Sequence, residues 1–289
     1  MDTITPRAYD VDVEDVEYLR HGDKPLLMRL YKPRGAGPFP IVINLHGGAW
    51  CKFDRTNDHI VNEPIAKTGV IVAALDFRMP PEAAYPASMQ DINYAVRWLK
   101  QRAGELHGSA SRIGISGSSS GGHQAILTGM RPRDARYAAL PLKDGAGIDA
   151  SVSGVILCSP VIDPLGRYRY AQRLKAKPPY PESVDLWIPC HHAFWGTEAA
   201  MAEGSPVCAL DSGEKCELPP VLYLSGTHDK AHPRPDLDRF VAAYRKAGGN
   251  VDLQLYEGEA EGFLNRNADG ANAQKAREAY VAFVRTALA

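Results

Sequence analysis

Near the middle of the chain, Gly117-Ser118-Ser119-Ser120-Gly121 has the residue types and spacing of a tight turn that presents a hydroxyl for nucleophilic attack. Of the nearby serines, Ser119 has glycine at both minus two and plus two; Ser116 lacks the later glycine, and Ser118 and Ser120 lack the earlier one. Such a turn strains the backbone of its central residue, so its neighbours must be small, and it lifts the hydroxyl to a helix N-terminus. Gly117, Gly121 and Gly122 meet that need. The flanks agree, because Arg112 to Ser116 reads as a strand and His123 to Gly129 as helix. A Gly/Ser-rich loop or a phosphate-binding turn would share the composition but not these flanks.

Upstream, His46-Gly47-Gly48-Ala49-Trp50 closes another strand, Ile41 to Leu45. A serine attacking an acyl carbon generates an oxyanion, which needs preorganised backbone N–H donors. A Gly-Gly turn lets the backbone come that close. Gly48 and Ala49, with Ser120 after the nucleophile, are the candidate donors; His46, Gly47, Gly117 and Gly121 support the two turns.

These segments need a scaffold, and the hydrophobic pattern supplies one. Short β-branched runs at Ile41–Leu45, Val70–Leu75, Ile113–Ile115, Val152–Cys158, Val221–Leu224 and Val251–Tyr256 alternate with segments of helical period. Met89, Ile92, Val96, Leu99 and Ala103 fall on one helical face, as do Leu237, Phe240, Val241 and Tyr244, and Ala276, Tyr280, Phe283 and Ala287. The expected fold is α/β, a mostly parallel central sheet with helices on both faces. Val11 to Tyr18 and Leu26 to Tyr31, around His21-Gly22-Asp23-Lys24, read as an antiparallel hairpin at one edge. After Asp163 about fifty residues pass before the strand at Val221, too long for an ordinary connection. The expectation is one domain over 1–289 with an inserted lid at about 164–218.

Composition narrows the function classes. With 289 residues, 45% hydrophobic, 23% charged and Lys+Arg 33 against Asp+Glu 34, the chain has no charge bias that points to nucleic acid or a membrane surface. Met1 to Asp15 is acidic and mixed where a signal peptide is basic and then apolar, and no apolar run approaches the roughly 18 residues of a span. A cytoplasmic location is expected. Five cysteines at no metal-ligand spacing then read as free thiols, although Cys208 and Cys216 are near enough in sequence for a small loop disulfide.

Through His46-Gly-Gly-Ala-Trp50, Asp76-Phe-Arg-Met-Pro-Pro-Glu82 with Tyr85-Pro86, and Gly117-Ser-Ser-Ser-Gly-Gly122, the chain resembles the hormone-sensitive-lipase-like and acetyl-esterase-like carboxylesterases of the α/β-hydrolase fold. The resemblance runs from about Val13 to the C-terminus and is weakest through the lid. Arg78 and Glu82 of the second motif are expected to anchor a loop. The resemblance implies a triad acid after the next-to-last strand, where Asp229 stands in Val221-Leu-Tyr-Leu-Ser-Gly-Thr-His-Asp229. It also implies a histidine base in a His-Gly-Phe after the last strand. Here that segment is Tyr256-Glu-Gly-Glu-Ala-Glu-Gly-Phe263, with Glu261 at the base position.

An isolated Glu, with a pKa of about 4.3, is a far weaker base than imidazole at neutral pH. Beside Asp229 it would share a proton, as in serine-carboxyl peptidases, and favour acidic pH. Three readings follow. Glu261 is the base of a Ser119–Glu261–Asp229 site; or another imidazole serves, with His228 and His232 flanking Asp229 and His191 and His192 in the lid; or the pocket binds without efficient turnover, as the gibberellin receptors of this family do. The reading adopted is a serine hydrolase of small-molecule carboxylic esters with Ser119, Asp229 and Glu261 as site residues and no metal or organic cofactor. An inactive ligand-binding homologue and a small N-acyl amidase are the alternatives, and a homodimer is left open. In the lid, Arg167, Arg169, Arg173, Lys175 and Lys177 lie in a stretch without acids that suits an anionic substrate, with Trp187, Phe194 and Trp195 as an apolar wall.

Overall fold

The computed structural model describes residues 8–289; Met1 to Arg7, part of the segment read for a signal peptide, lie outside the described residues. The β-branched runs form one eight-stranded sheet in the order β1-β2-β4-β3-β5-β6-β7-β8. Strands β1 (Val11–His21) and β2 (Lys24–Pro33) make the expected antiparallel hairpin, and β2 joins β4 (Ile71–Leu75) antiparallel. From β4 onward the pairing is parallel, through β3 (Phe39–Leu45), β5 (Gly108–Ser118), β6 (Gly154–Cys158), β7 (Val221–Gly226) and β8 (Val251–Tyr256).

The central strands bury both faces, which is why they read as continuous apolar runs. Ile41, Ile43 and Leu45 of β3 face a core that includes Met89, Ile92 and Leu99 of α2 (Ala87–Arg102), Ala125 and Ile126 of α3 (Ser120–Met130), and Phe240 and Tyr244 of α8 (Arg234–Lys246). Val42 faces the other core, with Val61 and Ile65 of α1 (His59–Ala66) and Ala276 and Tyr280 of α10 (Ala271–Ala287). Alternation along one strand thus feeds two helical layers. Arg78 and Glu82 anchor as expected: Arg78 Nη2 donates to the buried Asp91 at 2.9 Å, and Glu82 pairs with Lys24. Among the described residues no helix is long and apolar enough to cross a membrane, and the five cysteines are unbridged.

The segment between β6 and β7 folds into four helices, α4 (Pro164–Lys175), α5 (Val184–Trp195), α6 (Glu198–Glu203) and α7 (Pro206–Asp211). Three starts follow local rules: Asp163, Thr197 and Ser205 each accept a hydrogen bond from the backbone N–H three residues on, and Pro164 and Pro206 occupy the first helical position. These helices pack on the loop after β3. Trp50 is fully buried, stacked on Phe194 at 5.4 Å and meeting Trp195 edge-on at 5.6 Å.

Between β5 and α3 the turn is as tight as its glycines imply. A Cβ on Gly121 would lie 2.1 Å from the Leu45 carbonyl oxygen and 2.4 Å from that of His46, both backbone atoms that cannot swing aside. Gly121→Ala is therefore expected to cost about 3 kcal/mol, lowering the melting temperature by roughly 6–12 °C for a chain of this size. An unchanged thermal unfolding midpoint would show that the turn has slack.

Candidate active site

Ser119 ends the run from β5 and caps α3 with φ 50° and ψ −117°, the strained geometry that the small neighbours permit. Its N–H donates to the Cys158 carbonyl at 3.0 Å and its carbonyl accepts from Val161 at 3.0 Å, so the end of β6 and the loop after it fix the turn on both sides. The residue is buried, and its Oγ lies 3.3 Å from Nε2 of His232.

His232 belongs to the turn after β7 that also carries Asp229. Asp229 Oδ1 accepts from the backbone N–H groups of Ala231 (2.8 Å) and His232 (3.1 Å), and Oδ2 lies 2.9 Å from His232 Nδ1. One carboxylate thereby closes the turn and orients the ring within three residues. Because a carboxylate oxygen accepts, Nδ1 carries the proton and Nε2 offers its lone pair to the Ser119 hydroxyl. Burial works to raise the Asp229 pKa, but the charge and hydrogen bond of His232 and the Ala231 N–H together hold it below the ordinary value.

Glu261, expected at the base position, stands beside the His232 ring. Its carboxylate is not paired with Ser119; it stands 3.9 Å from His232 Nε2, more exposed than the ring it faces (29% against 8% of the side chain). Asp229 is where the resemblance placed it. The other imidazoles are engaged elsewhere. His191 bonds the Trp187 carbonyl at 2.8 Å and is pushed down to about 3 by burial; His192 bonds the Tyr168 hydroxyl at 2.7 Å. His228 lines an outer groove with Glu261 and Trp187. What the sequence offered for His232 was Asp-Lys-Ala-His followed by Pro233 at the start of α8, an acid and an imidazole one turn apart at a strand end.

Beside Ser119 lies a cavity of about 280 Å³, lined by Gly47, Gly48, Phe53, Val61, Glu261 and Phe263 among others. Glu261 also borders the outer groove, so it sits where the two spaces meet. Gly48, at φ 97°, takes a conformation suited to glycine, and a Cβ there would strike the Lys52 carbonyl at 2.3 Å. Ala49, also at positive φ, buries its methyl with Ala171 and Trp187 of the lid. The Ser120 hydroxyl accepts from the Trp50 N–H at 3.1 Å, joining the two turns.

Three of the five cations in the basic stretch of the lid are engaged by neighbouring side chains. Arg169 pairs with Glu198 and Lys175 with Asp185, acids supplied by neighbouring helices, while Arg167 is buried against the Trp187 ring at 4.5 Å. Arg173 and Lys177 remain exposed.

Residues 28–234 match the BD-FAE family model, and residues 193–287 match that of the dienelactone hydrolase family. Esterase LipC of Mycobacterium tuberculosis is 25% identical over 224 residues, 75% of this chain and 52% of LipC. Versiconal hemiacetal acetate esterase of Dothistroma septosporum is 33% identical over 125 residues, 42% of this chain and 36% of its own. The chain thus spans about half or less of these relatives. Among solved structures, a propionate-bound thermophilic esterase, Est2 of Thermogutta terrifontis, superposes with a TM-score of 0.73 at 25% identity, covering 94% of this chain and 93% of its own. The same esterase phosphonylated by sarin gives 0.74 at 26% identity, with 94% of each chain covered. The fold is the α/β-hydrolase fold.

A smaller cavity of about 10 Å³ borders His232 from the α8 side, lined also by Asp163, Arg167, Tyr223 and Asp236. Burial, and then the nearby Asp163, push the Asp236 carboxyl up to about 6, against the pull of Arg239, Arg173 and His232. Its folded pKa thus exceeds its unfolded value of about 3.9. The native state then binds more protons between about pH 4 and 6, and this group's contribution to stability falls as pH rises through that window. Asp236→Asn is expected to raise the melting temperature relative to the parent more at pH 7.5 than at pH 4. An equal difference at both pH values would refute the assignment.

Proposed function

Because the chain belongs to the BD-FAE family, and because His232 bridges Ser119 and Asp229, we propose that it hydrolyses carboxylic esters through a Ser119 acyl-enzyme with His232 as the base. The observation that carries this reading is the approach of His232 Nε2 to the Ser119 hydroxyl at 3.3 Å, with Nδ1 held by a buried carboxylate. Neutral imidazole takes the Ser119 proton as Oγ attacks the acyl carbon. The resulting imidazolium is stabilised by Asp229 and returns the proton to the departing alkoxide. Water, deprotonated by the same ring, then releases the acid. The backbone N–H groups of Gly48, Ala49 and Ser120 are the proposed oxyanion donors, with the N-terminus of α3 adding its dipole.

The apolar walls of the 280 Å³ cavity, Phe53, Val61 and Phe263, suit a short acyl chain, in keeping with the propionate held by the T. terrifontis esterase. The alternative of a binding protein without turnover rested on a missing imidazole, and one is within reach of the serine. On this reading Glu261 is a neighbouring charge rather than the base.

Ser119→Ala and His232→Ala are each expected to lower kcat for a chromogenic short-acyl ester by about 10³-fold or more. Glu261→Gln should retain kcat within about 10-fold. Removing an anion 3.9 Å from Nε2 also disfavours the imidazolium, so the acid limb of its pH–rate profile should move to lower pH. Measurement from about pH 4 to 9 decides. If Glu261→Gln were as inactive as Ser119→Ala while His232→Ala kept its activity, the base would be Glu261.

A further inference from the structure

In carboxylesterases of the kind this chain resembles, acid and base come from two different loops; here Asp229 and His232 share one short turn, which must be held against Ser119 from outside. The side chain best placed to hold it comes from the lid. Arg167, on α4, is 2% exposed, lies with its guanidinium 4.5 Å over the Trp187 ring, and donates from Nε to the Ala231 carbonyl at 3.2 Å. That carbonyl belongs to the peptide joining Ala231 to His232. Resting on the Ser119–His232–Asp229 reading, the geometry points to Arg167 as the positioning residue of the base: it fixes the 229–232 turn through Ala231 and sets a buried positive charge beside the imidazole.

Packing alone accounts poorly for an arginine here. Burying a guanidinium is costly unless its donors are met, and Nη1 is buried without a hydrogen-bond partner. A methionine would fill similar volume against Trp187 without that cost. What the cation adds is a directed N–H to Ala231 and a field. Burial, the foremost influence, draws its own pKa down to about 10, while Glu261 and Asp229 act in the opposite sense, which places both carboxylates within its electrostatic reach.

The charges facing His232 show what that field balances. Asp229 lies on the same turn, Glu261 on the loop after β8, Asp236 on α8 and Asp163 at the start of α4, with the Tyr223 hydroxyl from β7 alongside. Four carboxyl groups thus surround the ring. Against them, Arg167 is the buried cation on this side, since Arg266 is exposed at the rim near Glu261 and Arg239 pairs with Asp211 and Asp163. A base must be neutral to accept the serine proton, so a cation that opposes protonation extends activity to lower pH.

The test compares Arg167→Met, Arg167→Lys and His232→Ala, with circular dichroism and melting to confirm folding. Arg167→Met should lower kcat about 10- to 100-fold with KM within about 3-fold. Its acid limb in kcat/KM should move up by about half to one pH unit, which lost packing alone would not do. Arg167→Lys keeps the charge without the Nε bond, so it should lose kcat several-fold while its acid limb stays with the parent. A folded Arg167→Met variant with parental kcat and acid limb would overturn the proposal, as would equal losses in both variants with no movement of the limb. If only Arg167→Lys folds, a displaced acid limb or an undiminished kcat in that variant counts against it. Activity surviving His232→Ala would instead remove the reading on which the proposal rests.

Discussion

The left-handed backbone at Ser119 is the constraint from which the rest of the site follows. A non-glycine residue at φ 50° is held only where its surroundings over-determine it. Here Cys158 at the end of β6 and Val161 in the loop after it clamp it by hydrogen bonds, and Gly121 lets α3 close against the carbonyls of Leu45 and His46. The same closeness brings the turn after β3 alongside, where the Trp50 N–H meets the Ser120 hydroxyl. Trp50 then seats the lid: its indole N–H donates to His123 Nδ1, whose other nitrogen bonds the Gly204 carbonyl, and Phe194 stacks on its face. Burial draws His123 down to about 4, so this relay is made by a neutral ring. Strain at one serine is thus braced through two turns and an inserted helical layer.

The sheet and the tight turn at Ser119 were legible in the sequence because each follows from a local rule. Strands buried on both faces leave uninterrupted β-branched runs, and a turn this tight demands glycine at fixed offsets. Helices α1 and α9 (Phe263–Arg266) left no such mark. The first carries Pro64 within it and the second has four residues, so tertiary packing rather than propensity makes them. The lid was legible as an overlong connection, but its charges were not. Glu198 and Asp185 neutralise Arg169 and Lys175 from other helices, and Arg167 turns inward, none of which shows in a run of basic residues.

Asp229 stands after β7 as the resemblance implied, whereas in the reading proposed here Glu261 shows how position and chemistry can separate. A resemblance carries over the place where a base stands in related chains; it does not say from which loop this chain supplies an imidazole. Several loops converge above the strand ends, and the requirement on the ring is only that one nitrogen meet a carboxylate and the other the serine hydroxyl. An Asp with an imidazole three residues on satisfies the first half locally, and the distance to Ser119 is a long-range fact that no local pattern reports.

Placing the proposed acid and base on one turn changes what has to be rigid. With the two on separate loops, each is positioned by its own strand, and an error in one is not copied to the other. On a shared turn, Asp229 orients the ring well, but any displacement of the turn carries both away from Ser119 together, and the Nε2 to Oγ distance alone records it. A four-residue turn closed by its own carboxylate is internally stiff, but that bond does not fix it relative to Ser119. Its anchors must therefore come from neighbouring elements, and α4 takes hold at the Ala231 carbonyl through Arg167 and at the Lys230 carbonyl through the Tyr170 hydroxyl. The helices between β6 and β7, on that argument, do more than cover the strand ends: they supply the fixed point from which the proposed base is aimed.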